Sequence, residues 1–255
     1  MRVLKFKSAA LLLFVMALVL TTATTARAQA LVVDLSSHHV AITTGFTGAD
    51  VLLFGAVDGV GDIVVVITGP LENVVVRNKQ RIAGIWVNAK TVKFESVPNF
   101  YAVASSRPLD EITTPDIRET QQIGAVNIAT RVASGDRNRP AEELTEFREA
   151  LIRNKQKTGL FSTAPEEVRI ISDRLFRTKI HFPSNMATGN YTAVVYLFRE
   201  GSAVQAVSTP ILVEKVGLGA EVYNFAHQQS ALYGLAAIAI AVFSGWLGSV
   251  IFRKV

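Results

Sequence analysis

The sequence predicts a mainly β ectodomain built as a sandwich, interrupted by one helical segment and held at a membrane by a single C-terminal helix. Three observations predict it. Short runs of β-branched and aromatic residues recur between glycine turns from Leu31 to Tyr101 and again from Val168 to Val213. A charged stretch with helical spacing separates the two runs, and Ala231 to Phe252 holds 22 residues without a charge.

Taken in chain order, the first 28 residues read as a cleaved secretory signal. Arg2, Lys5 and Lys7 precede an apolar run from Ala9 to Leu20, and Ala26-Arg27-Ala28 sets small side chains three and one before a cut. The run of 12 residues covers roughly 18 Å as a helix, short of a hydrocarbon core about 30 Å thick. Residues 29–107 then carry strand-like text: Leu31-Val32-Val33, Val40-Ala41-Ile42-Thr43, Val51-Leu52-Leu53-Phe54, Ile63-Val64-Val65-Val66-Ile67 and Val74-Val75-Val76. The pairs Thr47-Gly48, Asp58-Gly59, Gly61-Asp62 and Gly69-Pro70 are turn formers between them. Ile85-Trp86-Val87 and Val92-Lys93-Phe94 add two more strands, and the spacing suits an antiparallel sandwich.

Residues 108–162 are expected to be a linker and helical segment. Pro140 suits a first helical turn, Glu142 and Glu143 complement the positive end of the helix dipole, and Leu144, Phe147, Leu151 and Ile152 share one face before Lys155, Lys157 and Gly159 close the helix. From 163 to 216 the β pattern returns as a second sandwich-like module, with one composite domain as the alternative. Tyr191 opens the strand Thr192–Phe198, and a tyrosine in that place resembles the tyrosine corner of immunoglobulin-like folds. Residues 217–230 read as a juxtamembrane segment, 231–252 as the membrane helix and 253–255 as a cytoplasmic tail. The helix would be about 33 Å long, and Arg253 and Lys254 follow it at once, which keeps the tail cytoplasmic and the ectodomain outside.

The net charge of +5 invites a nucleic-acid hypothesis that its distribution removes. Six of the 26 basic residues (Arg2, Lys5, Lys7, Arg27, Arg253, Lys254) lie in the two ends, which carry no acid, leaving 20 basic residues against 21 acidic ones. The basicity is topogenic, and no nucleic-acid partner is expected. There is no cysteine, which excludes disulfide frameworks, thiol nucleophiles and metal–thiolate sites.

Chemistry-bearing residues are sparse. His38 and His39 are adjacent, so a strand would point them to opposite faces, and a turn is the plainer reading. His181 reads as a hydrogen-bonded residue half within the core, and His227 as a headgroup-level ring. Glu142-Glu143 and Glu166-Glu167 stand at expected helix starts, where acids serve the dipole. Asp34, Asp50, Asp58 and Asp62 lack the ordered spacing of a calcium loop, and no nucleophile elbow or phosphate loop appears. The reading is a non-enzymatic protein without catalytic residues, cofactor or metal. Arg77, Lys79 and Arg81 would serve an anion if the ectodomain is a sensor. The most specific cue is a stripe of small residues, Ala237, Ala241, Gly245 and Ser249, at every fourth position of the membrane helix, which lets helix backbones approach closely. It implies a membrane-protein partner or self-association.

Several stretches taken together carry a resemblance: Ile42–Gly55 (ITTGFTGADVLLFG), Ala83–Asn88 (AGIWVN), Phe100–Ser106 (FYAVASS), and Leu232-Tyr-Gly with Phe243–Leu247 (FSGWL). The chain resembles the alphaproteobacterial putative transmembrane protein family from signal to tail. That resemblance implies a Gram-negative inner-membrane setting and a multi-pass permease of sulfite-exporter type as the partner to test; it implies no activity.

The signal reading is checked by intact mass. Protein purified from membranes is expected to begin at Gln29, and a mass retaining residues 1–28 would identify an uncleaved anchor instead.

Overall fold

Burial on both sides of one strand organises the structure. The computed structural model describes residues 31–82, 84–172 and 174–252; the expected signal peptide, its cleavage site and the tail 253–255 lie outside them. Thirteen strands form three sheets among the described residues. They are β1 Leu31–Leu35, β2 His39–Ile42, β3 Gly48–Val57, β4 Asp62–Thr68, β5 Leu71–Ile82, β6 Ile85–Pro98, β7 Tyr101–Ser105, β8 Arg131–Val132, β9 Glu166–Glu167, β10 Arg169–Ile171, β11 Leu175–Pro183, β12 Gly189–Arg199 and β13 Ser202–Lys215. One sheet has the order β1-β3-β11-β10, a second β2-β13-β12-β4-β7-β9, and a third β5-β6-β8.

The five apolar residues of β4 show why a continuous run differs from an alternating one. Alternate side chains leave a strand on opposite faces, yet Ile63 through Ile67 are all buried. Val64 and Val66 join a cluster with Val76, Val92 and Phe94 of the third sheet and with Phe147, Leu151 and Phe161 from the helical segment. Ile63, Val65 and Ile67 take the other face, in register with Leu197, Val195 and Ala193 of β12. On that face Tyr191 meets Phe182 of β11 edge-on, with ring centroids 5.8 Å apart, so the second sheet packs there against the first. The second sheet is thus the middle of three layers. Each fully buried Val or Ile contributes roughly 1.5–3 kcal/mol by transfer from water.

The alternating text of β11 gives the complementary case. Phe176, Thr178, Ile180 and Phe182 are buried while Leu175, Arg177, Lys179 and His181 are exposed, the pattern of a strand with one wet face.

Three expectations are corrected by this pairing. The boundaries at 107 and 163 do not separate two sandwiches, because β11 lies against β3 and β12 against β4; the two stretches share their sheets, as in the composite arrangement. The sheet is mixed rather than antiparallel, since β2 runs parallel to β13 and β9 parallel to β7. A parallel neighbour needs a long crossover, and the helical segment between β7 and β9 is that crossover. Finally, Ile85-Trp86-Val87 and Val92-Lys93-Phe94 belong to one strand, β6, whose polar middle continues the ladder with β5 across a bulge.

The crossover holds α1 Leu109–Ile112, α2 Pro115–Thr120 and α3 Ala141–Lys157. Pro140 caps α3, Phe147 and Leu151 are its buried residues, and Gly159 leaves it at φ +73°. Tyr101 anchors the segment from the sheet. Its buried hydroxyl donates to the Gln122 carbonyl (2.6 Å) and accepts from the Gly124 N–H (2.8 Å), and burial pushes its pKa well above the usual tyrosine range. Tyr191 donates to the Ala187 carbonyl four residues upstream (2.7 Å); burial raises its pKa to about 12 against the opposing effect of that bond.

Leu197→Ala and Leu151→Ala, on opposite sides of β4's sheet, should each cost about 3 kcal/mol and shift the same cooperative transition in denaturant, followed by near-ultraviolet circular dichroism; two separate transitions would contradict a shared core. Asp62 gives a pH test. Hydrogen bonds from Arg107 Nε (2.8 Å) and Nη2 (2.5 Å), helped by Ser106 Oγ, hold its carboxyl below the ordinary 3.8 despite partial burial. Because the folded-state value is depressed, the stabilisation is complete above the unfolded value and disappears as pH falls below 3.8. Asp62→Asn should flatten the acid limb of a stability–pH curve in that window.

Candidate functional site

The chain leaves the β domain at a fixed corner. β13 ends at Lys215, where Val216 N–H bonds the Ile42 carbonyl of edge strand β2 at 3.0 Å. Register places the start of β12, the end of β4 and the start of β7 at the same end of the sheet (Gly189↔Val213, Thr192↔Thr68, Thr68↔Tyr101). That is the end from which the anchor departs.

Gly217 turns the chain at φ +110°, a conformation open mainly to glycine. Helix α4, Leu218–Gln228, follows, and after Gln229 comes α5, Ser230–Phe252. The juxtamembrane segment is therefore helical, which its sequence reading as a connector did not include. Gln229 at φ −130° interrupts the helices, but its N–H reaches the Phe225 carbonyl (3.0 Å) and its carbonyl accepts from Tyr233 N–H (3.0 Å). Phe225 and Tyr233 also meet across the break at 6.1 Å between ring centroids. Tyr223 stacks on His227, whose Nδ1 lies 2.9 Å from the Tyr223 carbonyl oxygen. These rings flank the start of the apolar helix, Tyr233 lying in its first turn, and membrane interfaces collect such Tyr rings.

Of the described helices, α5 is the one long and apolar enough to cross a membrane, and none of it is buried against the rest of the chain. Ala237, Ala241, Gly245 and Ser249 all lie on it and all are exposed. Four residues turn the helix about 400°, so each step drifts about 40° and the stripe winds slowly around the axis. Among the described residues nothing fills it: a methyl group built on Gly245 would meet no atom within 4 Å. Gly234 and Gly248 are equally open, the first three residues before Ala237 and the second three after Gly245. Sequence reading confined to every fourth position passes over them, although i, i+3 neighbours share a helix face.

The other candidates are dispersed. His38 lies near Asp34 (3.4 Å) and His39 near Glu214 (2.8 Å), so the adjacent pair looks to different partners. His181 is exposed rather than half within the core, and with Lys179 it contacts Asp50 (both 2.7 Å). Those two hydrogen bonds lower the Asp50 carboxyl below its usual value. Glu166 and Glu167 are not at a helix start but form β9, beside β7; the backbone of Ala104 and Ser105 claims them as a sheet edge. Glu142 and Glu143 do lie in the first turn of α3, where Glu143 accepts from Arg139 (3.0 Å) and approaches Lys90 (3.4 Å). Among the described residues, no three His, Asp or Glu side chains gather in a way that would hold a metal ion. Arg77 lines an open cleft of about 460 Å³ with Arg153, Glu146 and Glu149 of α3, which Lys79 and Arg81 do not line.

A family model described as "Putative transmembrane protein", alphaproteobacterial by its name, matches residues 30–254. No curated protein matches the chain.

Proposed function

This chain belongs to that alphaproteobacterial transmembrane protein family, and on that premise we propose that it is a non-enzymatic, single-pass inner-membrane protein whose β-rich ectodomain stands in the periplasm, acting as an accessory or scaffolding subunit of a membrane complex. The observation that carries the reading is the open stripe on α5. An anchor with no partner needs only leucine, whereas a lane of small residues serves close helix packing where lipid removes the hydrophobic drive to associate. Its occupant is a helix of a second membrane protein, such as a multi-pass permease, or of a second copy.

The orientation follows from Arg253 and Lys254, which come directly after the helix and favour the cytoplasmic side. A sensing role has less support. Among the described residues, Arg77, Lys79 and Arg81 do not share a pocket for a small anion: Arg77 lines the open α3 cleft, and Lys79 and Arg81 lie outside its lining.

Gly245→Leu should weaken the association by blocking close backbone approach, read as reduced recovery of the partner from mild-detergent membranes by mass spectrometry. Leu247→Ala, about 200° around the helix from Gly245, should leave recovery unchanged. A monomer that brings down nothing, with Gly245 intact, would defeat the accessory reading.

A further inference from the structure

The β5–β6 hairpin is rooted in the core and ends outside it. Val76, Val92 and Phe94 at its base are buried, whereas Arg77 through Arg81 and Ile85 through Lys90 are exposed. Beyond Phe94 and Glu95, which pair with β8, the described ribbon has no third strand. It is a two-stranded arm.

Its composition differs from the rest of the ectodomain. From Asn73 to Phe94 there is no acidic residue and there are five cations: Arg77, Lys79, Arg81, Lys90 and Lys93. β5 is unbroken here, so Arg77, Lys79 and Arg81 alternate onto one face, and Trp86 stands directly across from Arg81 on that same face. At the end of the arm Ile85 and Trp86 are 68% and 66% exposed. Among the described residues, Lys90 is the one cation of the five in an ion pair, with Glu143.

We propose that this arm is a membrane-contacting finger that seats Trp86 and Ile85 at the interface of an anionic phospholipid bilayer, with Arg77, Lys79 and Arg81 against the headgroup phosphates. Charge complementarity selects the occupant: an arm that carries no acid of its own, whose Lys79 and Arg81 lie outside the acidic cleft that Arg77 borders, and that ends in an indole matches an anionic headgroup layer, where amphipathic rings settle and each basic side chain adds attraction. A ribbon this narrow offers little area for the roughly 800 Å² per partner of a stable protein interface, whereas a bilayer needs only a few inserted side chains. A bilayer is also at hand. The C-terminal helix holds the whole ectodomain, arm included, beside a membrane, and such a tether raises the local concentration of that surface. This proposal does not rest on the helix stripe.

Trp86 is one of two tryptophans in the chain, so a Trp246→Phe variant reports on the finger alone. The full chain carrying that substitution is placed in nanodiscs of brominated zwitterionic lipid and in discs containing brominated phosphatidylglycerol. Trp86 emission is expected to shift to shorter wavelength and be quenched in the anionic discs, to stay solvent-like in the zwitterionic ones, and to lose the effect in R77E/K79E/R81E, whose exposed positions leave the far-ultraviolet spectrum unchanged. Solvent-like emission in both discs would overturn the proposal. So would emission shifted only in native membranes, which would identify a protein as the occupant, or equal quenching in the triple variant.

Discussion

Five consecutive apolar residues in β4 must be dry on both sides, and the rest of the domain is arranged to make them so. One face requires a second sheet, the other a helical layer, and neither is available from sequence neighbours alone. β12 and β11 arrive from more than 100 residues downstream to complete the first; the β5–β6 hairpin and α3 complete the second. The glycines flanking the strand show how closely these layers approach. A side chain on Gly61 would stand 2.6 Å from Leu197 and 2.9 Å from the Phe198 carbonyl, and one on Gly69 would stand 2.9 Å from the Tyr191 ring. Both ends of the central strand are therefore pinned by packing that excludes even a methyl group.

The same constraint explains the crossover. Once β7 pairs with β4, its far edge is open, and β9 closes it in parallel. A parallel edge cannot be reached by a tight turn, so the chain needs a long excursion, and that excursion supplies the apolar side chains that cover Val64 and Val66. Connection and core are one piece of sequence. Tyr101 couples them: its ring packs against Phe161 at 5.9 Å between centroids while its hydroxyl holds the Gln122–Gly124 turn.

What sequence reading reached follows from the range of the forces involved. The helix from Pro140 to Gly159 and the apolar span after Ala231 are set by local spacing, capping and length, and both stand where the spacing put them. The β content was legible for the same reason. Partners were not, because β-branched runs say that a strand exists without saying which edge it takes; hence the two-module boundary failed. Asn88-Ala89-Lys90 read as a gap between strands because exposed hairpin residues need no apolar pattern when cross-strand hydrogen bonds hold them. At the helix stripe, small residues declare a groove but do not say what lies in it.

The route between domain and bilayer sets what a helix contact can do. Holding the stripe of α5 against another helix fixes its rotation about its own axis, since the small residues occupy one winding lane. Whether that rotation reaches the ectodomain depends on the break at Gln229. There the two backbone hydrogen bonds and the Phe225–Tyr233 contact span the interruption, so α4 is carried with α5 rather than swivelling freely. The compliant point lies one step further out, at Gly217, whose φ of +110° no helix residue shares. The tether is thus two helices bridged by backbone hydrogen bonds at Gln229 and joined to the corner of β13 through a glycine turn.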